Sequence, residues 1–265
     1  MDDGAATAEA ILVRRDDAIV TVTLNRPDKL NALNLQAWKR LGVVMQELGA
    51  DSSVRCIVIR GAGEQAFAAG ADITEFKNER ATAAQCEAYD AIVNMATSGI
   101  AGCPHPVIAM IHGACVGGGL EIASVCDLRI CGASSRFGIP INRLGFTIAY
   151  PELKNLLALV GRAVALEILL EGRILRADEA YAKGLVTRVV PDHKVEEEAY
   201  ATARRIADGA PLVNRWHKRF VRRLESGEKL TQADTRENYA CYDTEDFKTG
   251  VAAFIAKKKP EFKGR

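Results

Sequence analysis

Short, almost wholly apolar segments recur along the first half of the chain, separated by stretches with helical spacing. They are VRCIVIRG (54–61), PVIAMIHG (106–113) and DLRICG (127–132). Such runs are typical of strands that are covered on both faces. Strands that alternate with helices indicate an α/β fold with parallel pairing and right-handed crossovers.

The pattern changes after about Arg176, where the remaining segments look helical. We therefore expect an α/β core over residues 1–200 and a C-terminal helical segment over residues 201–265. This segment has no evident core of its own, and its apolar stripes need a partner. The stripes include Leu212, Val213, Trp216 and Phe220. They predict a homotrimer or a dimer of trimers.

Charge and composition narrow the range of partners. Lys and Arg total 35 and Asp and Glu total 34, so no global field favours nucleic acid or a membrane surface. The basic run RWHKRFVRRL (215–224) is expected to form a solvated helix face rather than an RNA site. No apolar run approaches the roughly 18 residues of a membrane span.

Cysteine usage and the N-terminus indicate the compartment. The seven cysteines are irregularly spaced without a C-x-x-C pair, which gives no zinc or redox motif. Most are expected to be reduced core residues. The acidic start MDDGAATAEA lacks the apolar region of a secretory signal. A soluble cytoplasmic protein without a bound metal is the expectation.

The stretch HGACVGGGLEIASVCD (112–127) places three consecutive glycines where a strand passes into a helix. A helix start has free N–H groups and partial positive charge, and glycine lets a ligand approach the backbone closely. The junction therefore suits an anion, either a phosphate or the oxygen of an activated carbonyl. The P-loop and G-x-G-x-x-G patterns are missing from it.

Glu121 falls in the first turn of that helix. It can complement the helix dipole, which contributes about 0.3–1 kcal/mol, or act chemically on a bound anion. The small-residue loop AFAAGADI (66–73) follows another buried strand and is placed to present a second backbone N–H. Two such donors and one carboxylate make an oxyanion hole with an acid/base beside it. His112 is interpreted as a packing residue, and Asp72 as the cap of the next helix.

Together these segments resemble the crotonase, or enoyl-CoA hydratase/isomerase, superfamily. The resemblance extends to VTLNRPDKLNALN (22–34), to residues 167–191 and to GVAAFIAKKKPEFKGR (250–265). It implies a crotonase-like spiral of ββα units with a helical C-terminal trimerisation segment. It also implies an acyl-CoA thioester as substrate, so that coenzyme A is part of the substrate and no separate cofactor is needed.

The resemblance also implies roles for individual residues. The N–H groups of Ala71 and Gly118 donate to the thioester oxygen, with Glu121 as the acid/base. Lys29 lies along the adenine, and Phe254 and Lys257 match positions near the adenine ring and the ribose phosphate. Further substrate contacts are expected at Ala69, Gly70, Asp72, Ile73, Gly117 and Ile141.

The chain departs from the family at one catalytic position. The hydratases use a second glutamate twenty residues after the first, and here that position is Ile141. Isoleucine cannot exchange a proton, and each acid/base role contributes about 10²–10⁴ in rate. Nearby polar residues that can substitute are Asn142, Arg143, Tyr150 and Glu152, of which the first two are expected to be structural.

One base beside an oxyanion hole leaves several reactions open. It suffices for moving a double bond between positions 3 and 2, or for a specialised hydration. Hydrolysis or decarboxylation of an unusual acyl-CoA is a further alternative, and so is a non-catalytic acyl-CoA binder. The fold fixes the intermediate and not the reaction.

Overall fold

The computed structural model describes residues 9–265. The strands in this range are β1 (Ile11–Asp16), β2 (Ile19–Leu24), β3 (Cys56–Gly61), β4 (Ala66–Ala68), β5 (Val107–Ile111), β6 (Ala114–Val116), β7 (Leu128–Gly132), β8 (Arg136–Gly138), β9 (Leu175–Arg176) and β10 (Arg188–Val190). The α-helices are α1 (Leu35–Ala50), α2 (Phe76–Glu79), α3 (Ala83–Gly102), α4 (Gly118–Val125), α5 (Tyr150–Glu171), α6 (Ala177–Ala182), α7 (Val195–Ala207), α8 (Pro211–Glu225), α9 (Gln232–Glu237) and α10 (Glu245–Ile255).

The strands form two sheets. The larger sheet has the order β1-β2-β3-β5-β7-β10, and every pair in it except β1–β2 is parallel. The smaller sheet has the order β4-β6-β8-β9, with β4, β6 and β8 parallel and β9 antiparallel. The predicted parallel α/β fold is confirmed.

The chain winds through the two sheets as a spiral. Each turn gives one strand to the larger sheet, the next strand to the smaller sheet and then a helix. The successive turns are β3–β4–α2/α3, β5–β6–α4 and β7–β8–α5. These are the ββα units that the resemblance implies, and they stack equivalent loops next to one another.

The larger sheet is buried on both faces because alternate residues of each strand pack into different cores. In β3, Ile57 and Ile59 face the main core, whereas Cys56 and Val58 face a second cluster. Helix α7 covers that second cluster through its own buried apolar residues, which are Val195, Ala199 and Ala203. This two-sided cover explains why the central strands are almost wholly apolar in sequence.

The division predicted between residues 200 and 201 falls inside α7, which packs against the larger sheet. The purely helical part of the chain begins after this helix ends at Ala207. Within this helical part, α9 ends at Glu237 and Thr244 caps a new helix, α10. Within residues 9–265, no helix is long and apolar enough to cross a membrane.

The expectation that the charges of α8 form a solvated face is wrong for three of them. Lys218 Nζ lies 2.6 Å from Asp127 Oδ2 and donates to the main-chain carbonyl of His105 at 2.7 Å. Arg215 and Arg222 also donate to main-chain carbonyls of the core. Periodicity identified this polar face, but the face lies against the loops of the core and satisfies their carbonyl groups.

Candidate active site

The candidate site lies where three strands of the smaller sheet end. Because β4, β6 and β8 are parallel neighbours, their carboxyl ends meet at one edge of the sheet, where ligands bind in open α/β folds. The loop after β4 contains Ala71, the loop after β6 contains Gly117, and the loop after β8 contains Ile141. Residues of all three loops line one cavity.

Two glycines bring the first two loops into contact. Gly70 has φ of +107°, and Gly117 has φ of +51° with ψ of −122°, which residues with a Cβ rarely adopt. A Cβ added to Gly117 would lie 3.5 Å from Gly70 Cα, and one added to Gly70 would lie 3.9 Å from the Gly118 nitrogen. The main chains of the two loops therefore meet directly at the start of α4.

The N–H groups of Ala71 and Gly118 donate to no acceptor within residues 9–265. Leu33 N donates to Gly70 O at 2.8 Å and Asp72 N donates to Leu33 O at 2.9 Å, a pairing that leaves out the Ala71 N–H. Gly118 is the first residue of α4, where an N–H has no partner inside the helix. Two unused donors on touching loops are the arrangement that an oxyanion hole requires.

Glu121 lies in the first turn of α4, half-buried and lining the same cavity. Burial, followed by the charge of Glu152, raises the pKa of Glu121 to about 7, while Arg80 acts in the opposite direction. A carboxyl group with this pKa is populated in both protonation states near neutral pH. It is therefore suited to either accepting or delivering a proton.

Ile141 lies in the cavity wall and packs against the main core. Of the polar residues considered as its substitute, only Glu152 lines the cavity. Tyr150 is 88% exposed, Arg143 is exposed, and Asn142 donates to a main-chain carbonyl of α5 at 2.9 Å. The structure thus leaves one of the four candidates beside the site.

Glu152 lies in the first turn of α5 and is only 6% exposed. Burial raises its pKa, whereas its own main-chain N–H and a hydrogen bond from Thr97 lower it. The Thr97 Oγ1 to Glu152 Oε1 distance is 3.4 Å. The position at a helix start favours its ionised form.

Arg80 is a charged lining residue that the sequence did not reveal. Its guanidinium carbon lies 4.8 Å from the ring centroid of Tyr89, 5.1 Å from Phe76 and 5.2 Å from Phe146. It also pairs with Asp90 at 3.2 Å. The surrounding rings hold this cation in place by cation–π contacts. Phe76, Tyr89 and Asp90 are within ten residues of Arg80, whereas Phe146 comes from a distant part of the chain.

The structure places most of the predicted site residues together. The cavity is lined by Ala69, Gly70, Ala71, Ile73, Gly117, Gly118, Glu121 and Ile141. The expected substrate contact of Asp72 needs correction, because Asp72 is not among the residues that line the cavity. Asp72 Oδ1 caps Thr74 N at 3.1 Å and Asp72 Oδ2 pairs with Arg26 at 2.8 Å, as expected of a capping residue.

The three residues expected along coenzyme A lie outside the lining. Lys29 is exposed, but the next residue, Leu30, accepts a hydrogen bond from Ala69 N at 3.0 Å, which places Lys29 near the rim. Phe254 is 86% exposed on α10, and Lys257 follows that helix. His112 is buried and also stands outside the cavity, in agreement with a packing role.

Comparison with known proteins identifies the class to which this fold and cavity belong. Residues 14–265 match the family described as Enoyl-CoA hydratase/isomerase, and the chain belongs to that family. The predicted resemblance is confirmed, and the chain is an acyl-CoA enzyme of the enoyl-CoA hydratase/isomerase type.

Relatives match over nearly their whole length. A short-chain-enoyl-CoA hydratase of Clostridium acetobutylicum is 34% identical over 258 residues, covering 96% of this chain and 98% of the relative. The crystal structure of an enoyl-CoA hydratase/carnithine racemase from Magnetospirillum magneticum has a TM-score of 0.95 and 51% identity, covering 97% of this chain and 96% of that one. An enoyl-CoA hydratase from Bacillus anthracis has a TM-score of 0.88 and 30% identity, covering 97% and 100%.

Proposed function

We propose that the enzyme holds an acyl-CoA thioester with its carbonyl oxygen between the N–H groups of Ala71 and Gly118, and that Glu121 exchanges a proton at Cα. The observation that carries this proposal is a pair of N–H donors on two touching loops that have no acceptor among residues 9–265. Removing a proton from Cα moves negative charge onto the thioester oxygen. Two preorganised dipoles stabilise that charge, and losing one such donor typically costs about 3–4 kcal/mol.

Glu121 is placed for the Cα proton because it lies within one helical turn of Gly118. In its ionised form the carboxylate removes the proton, and in its neutral form it returns a proton to the enolate. The pKa of about 7 keeps both forms available at neutral pH. Proton transfer at Cα therefore needs no second acid or base from the protein.

The size of the cavity favours a short acyl chain. Its volume is about 130 Å³, and its lining includes the apolar residues Ile141, Leu144 and Ile148. We infer a short-chain acyl substrate, in keeping with the short-chain relative from Clostridium acetobutylicum.

We also infer that the C-terminal helices assemble the enzyme into a homotrimer or a dimer of trimers. Large apolar side chains of this region are exposed in the single chain, and they include Val221, Leu224, Leu230, Phe254 and Ile255. A soluble chain rarely leaves such a surface uncovered. Phe254 and Lys257 are then available to a coenzyme A held by another subunit.

Exchange of hydrogen at Cα tests the proposal directly. Butyryl-CoA has no double bond and no β-substituent, so its only expected reaction in D₂O is replacement of the Cα hydrogens, read by mass spectrometry. We expect exchange with the wild type, its loss in Glu121→Gln with binding of butyryl-CoA retained, and unchanged exchange in the exposed control Glu87→Gln. Binding without exchange in the wild type would leave a non-catalytic acyl-CoA binder.

A further inference from the structure

We propose that Glu152 is the second proton-transferring carboxylate of this enzyme and that it activates the water molecule added to Cβ of a 2-enoyl-CoA. The inference rests on the proposed function above, in which Glu121 serves Cα. It assigns to the start of α5 the role that Ile141, in the loop after β8, cannot perform.

The surroundings of Glu152 do not suit a purely structural carboxylate. Buried charges that only support a fold are paired with a cation or fully hydrogen-bonded. Glu152 is 6% exposed, yet no Lys or Arg within residues 9–265 forms an ion pair with it. The nearby cation, Arg80, pairs instead with Asp90. From other side chains, Glu152 receives a single long hydrogen bond, from Thr97.

The residues that line the cavity carry further buried polar atoms to which a water molecule can bond. Trp38 Nε1 and Tyr89 Oη are buried without a hydrogen-bond partner in the described part of the chain. Both residues line the cavity together with Glu121 and Glu152. An ordered water needs two to four polar partners, which these groups can supply. The cavity lining thus contains two carboxylates and two neutral donors.

The two glutamates approach the acyl group from different elements, which fixes their roles. Glu121 is one turn from the proposed oxyanion donor Gly118 and therefore lies nearest to Cα. Glu152 lines the same cavity from the first turn of α5, and we assign it to the next carbon along the acyl chain. The arrangement gives one proton-transferring group to each end of the double bond.

The resulting step balances without an external reactant other than water. Glu152 accepts a proton from water while the water oxygen forms its bond to Cβ. The π electron pair of the Cα–Cβ double bond moves toward the thioester oxygen, forming an enolate. Neutral Glu121 gives its proton to Cα, which forms the C–H bond and restores the carbonyl. A proton then passes from Glu152 to Glu121 and returns both groups to their starting states.

Two reactions of the same protein separate the two glutamates. Hydration of crotonyl-CoA requires both glutamates. It is monitored by the loss of the conjugated-thioester absorbance. Exchange at Cα of butyryl-CoA requires Glu121 alone. We expect Glu152→Gln to lower kcat for hydration by about 10²–10⁴-fold, with KM within about threefold of the wild type and Cα exchange retained. Glu152→Asp should recover part of the hydration rate.

An apolar variant of similar volume controls for the possibility that activity is lost through misfolding. Glu152→Met removes a buried charge without a cation partner, so it should fold with an unchanged or higher Tm and still fail to hydrate. A carboxylate needed only for structure would instead lose stability in this variant.

The failures of the inference and of the proposed function are distinguishable. Hydration at the wild-type rate by Glu152→Gln, with Glu121→Gln inactive in exchange, overturns the role of Glu152 and leaves that of Glu121 in place. Equal loss of hydration and exchange in Glu152→Gln also overturns it. The proposed role of Glu152 is also overturned if the wild type exchanges Cα hydrogens but does not hydrate crotonyl-CoA. Absence of exchange in the wild type overturns the proposed function itself.

Discussion

Glu121 and Glu152 face one cavity from two different helices, and the protonation of one depends on the charge of the other. Burial is the first cause of the high pKa of Glu121, about 7, and the charge of Glu152 is the second. Like charges in a confined site are not ionised independently, so the two groups titrate as a coupled pair. Both the rate and the stability of the enzyme should therefore respond to pH near neutrality.

The rate of Cα exchange should rise with pH through about 7, because only ionised Glu121 removes a proton from butyryl-CoA. In Glu152→Gln the midpoint should move to lower pH, since one group that disfavours ionisation is gone. Arg80 and Asp90 remain as charged neighbours, and they act in opposite directions. The profile is measured by mass spectrometry in buffered D₂O. An unchanged midpoint in the variant would contradict electrostatic coupling of the pair.

Glu121→Gln should make the protein more stable at high pH. Its carboxyl pKa is raised in the folded state from 4.5 to about 7, so folding favours the neutral form. Stability from this group is complete below the unfolded pKa and is lost as pH rises through the folded pKa. The loss is on the order of 3 kcal/mol at most. Urea unfolding at pH 8 should show the gain, and the two proteins should converge near pH 4.5. If the two proteins differed in free energy of unfolding by the same amount at both pH values, the raised pKa of Glu121 would be contradicted.

Lys218→Met should destabilise the contact between α8 and the core. The Lys218 side chain is 11% exposed and is held by Asp127 and by the carbonyl of His105. The substitution leaves both acceptors without their cation, at a cost of about 1–3 kcal/mol. Urea unfolding measures this loss in the free energy of unfolding. The control Arg219→Met removes a more exposed ion pair and should cost less than about 1 kcal/mol. Equal effects would remove the special role of Lys218.

The mass of the protein in solution should be that of a trimer or a dimer of trimers. Leu224, which is 64% exposed in the single chain, should be covered in that assembly. Leu224→Asp should reduce the mass measured by light scattering, whereas the neighbouring exposed variant Glu225→Gln should not. A monomeric wild type at micromolar concentration would be incompatible with this surface being an interface.

Substrate preference should follow the size of the cavity. We expect kcat/KM to be highest for crotonyl-CoA and to fall for 2-octenoyl-CoA and 2-dodecenoyl-CoA, because the enclosed space is about 130 Å³. Ile141→Ala should reduce this preference by removing part of the wall. Rates from the three esters, measured side by side, provide the test. Equal kcat/KM values for all three would show that this wall does not limit the chain.

The parts of the site that depend on local chemistry were predictable from the sequence. Gly117 and Glu121 lie at one strand–helix junction, so their proximity to an anion follows from a few bonds of backbone. Glu152 could only be named as one of four candidates, because its direction depends on where α5 begins and on how that helix packs. The position of Lys218 depends still more on distant elements, because its partners Asp127 and His105 lie about 90 and 113 residues earlier. Helical periodicity in the sequence shows which side chains share a helix face, but it does not show which part of the protein that face packs against.

The placement of the three site loops has a consequence for how such an enzyme can diversify. Each loop follows a small-sheet strand from a different turn of the spiral, so Ala71 lies on one replaceable segment, Gly118 and Glu121 lie on a second, and Ile141 and Glu152 lie on a third. An alteration in the third segment can change the reaction while the first two keep their geometry. Ile141 and Glu152 both belong to the third turn of the spiral, β7–β8–α5. The segment from the end of β8 to the start of α5 is therefore the natural place to redesign this enzyme.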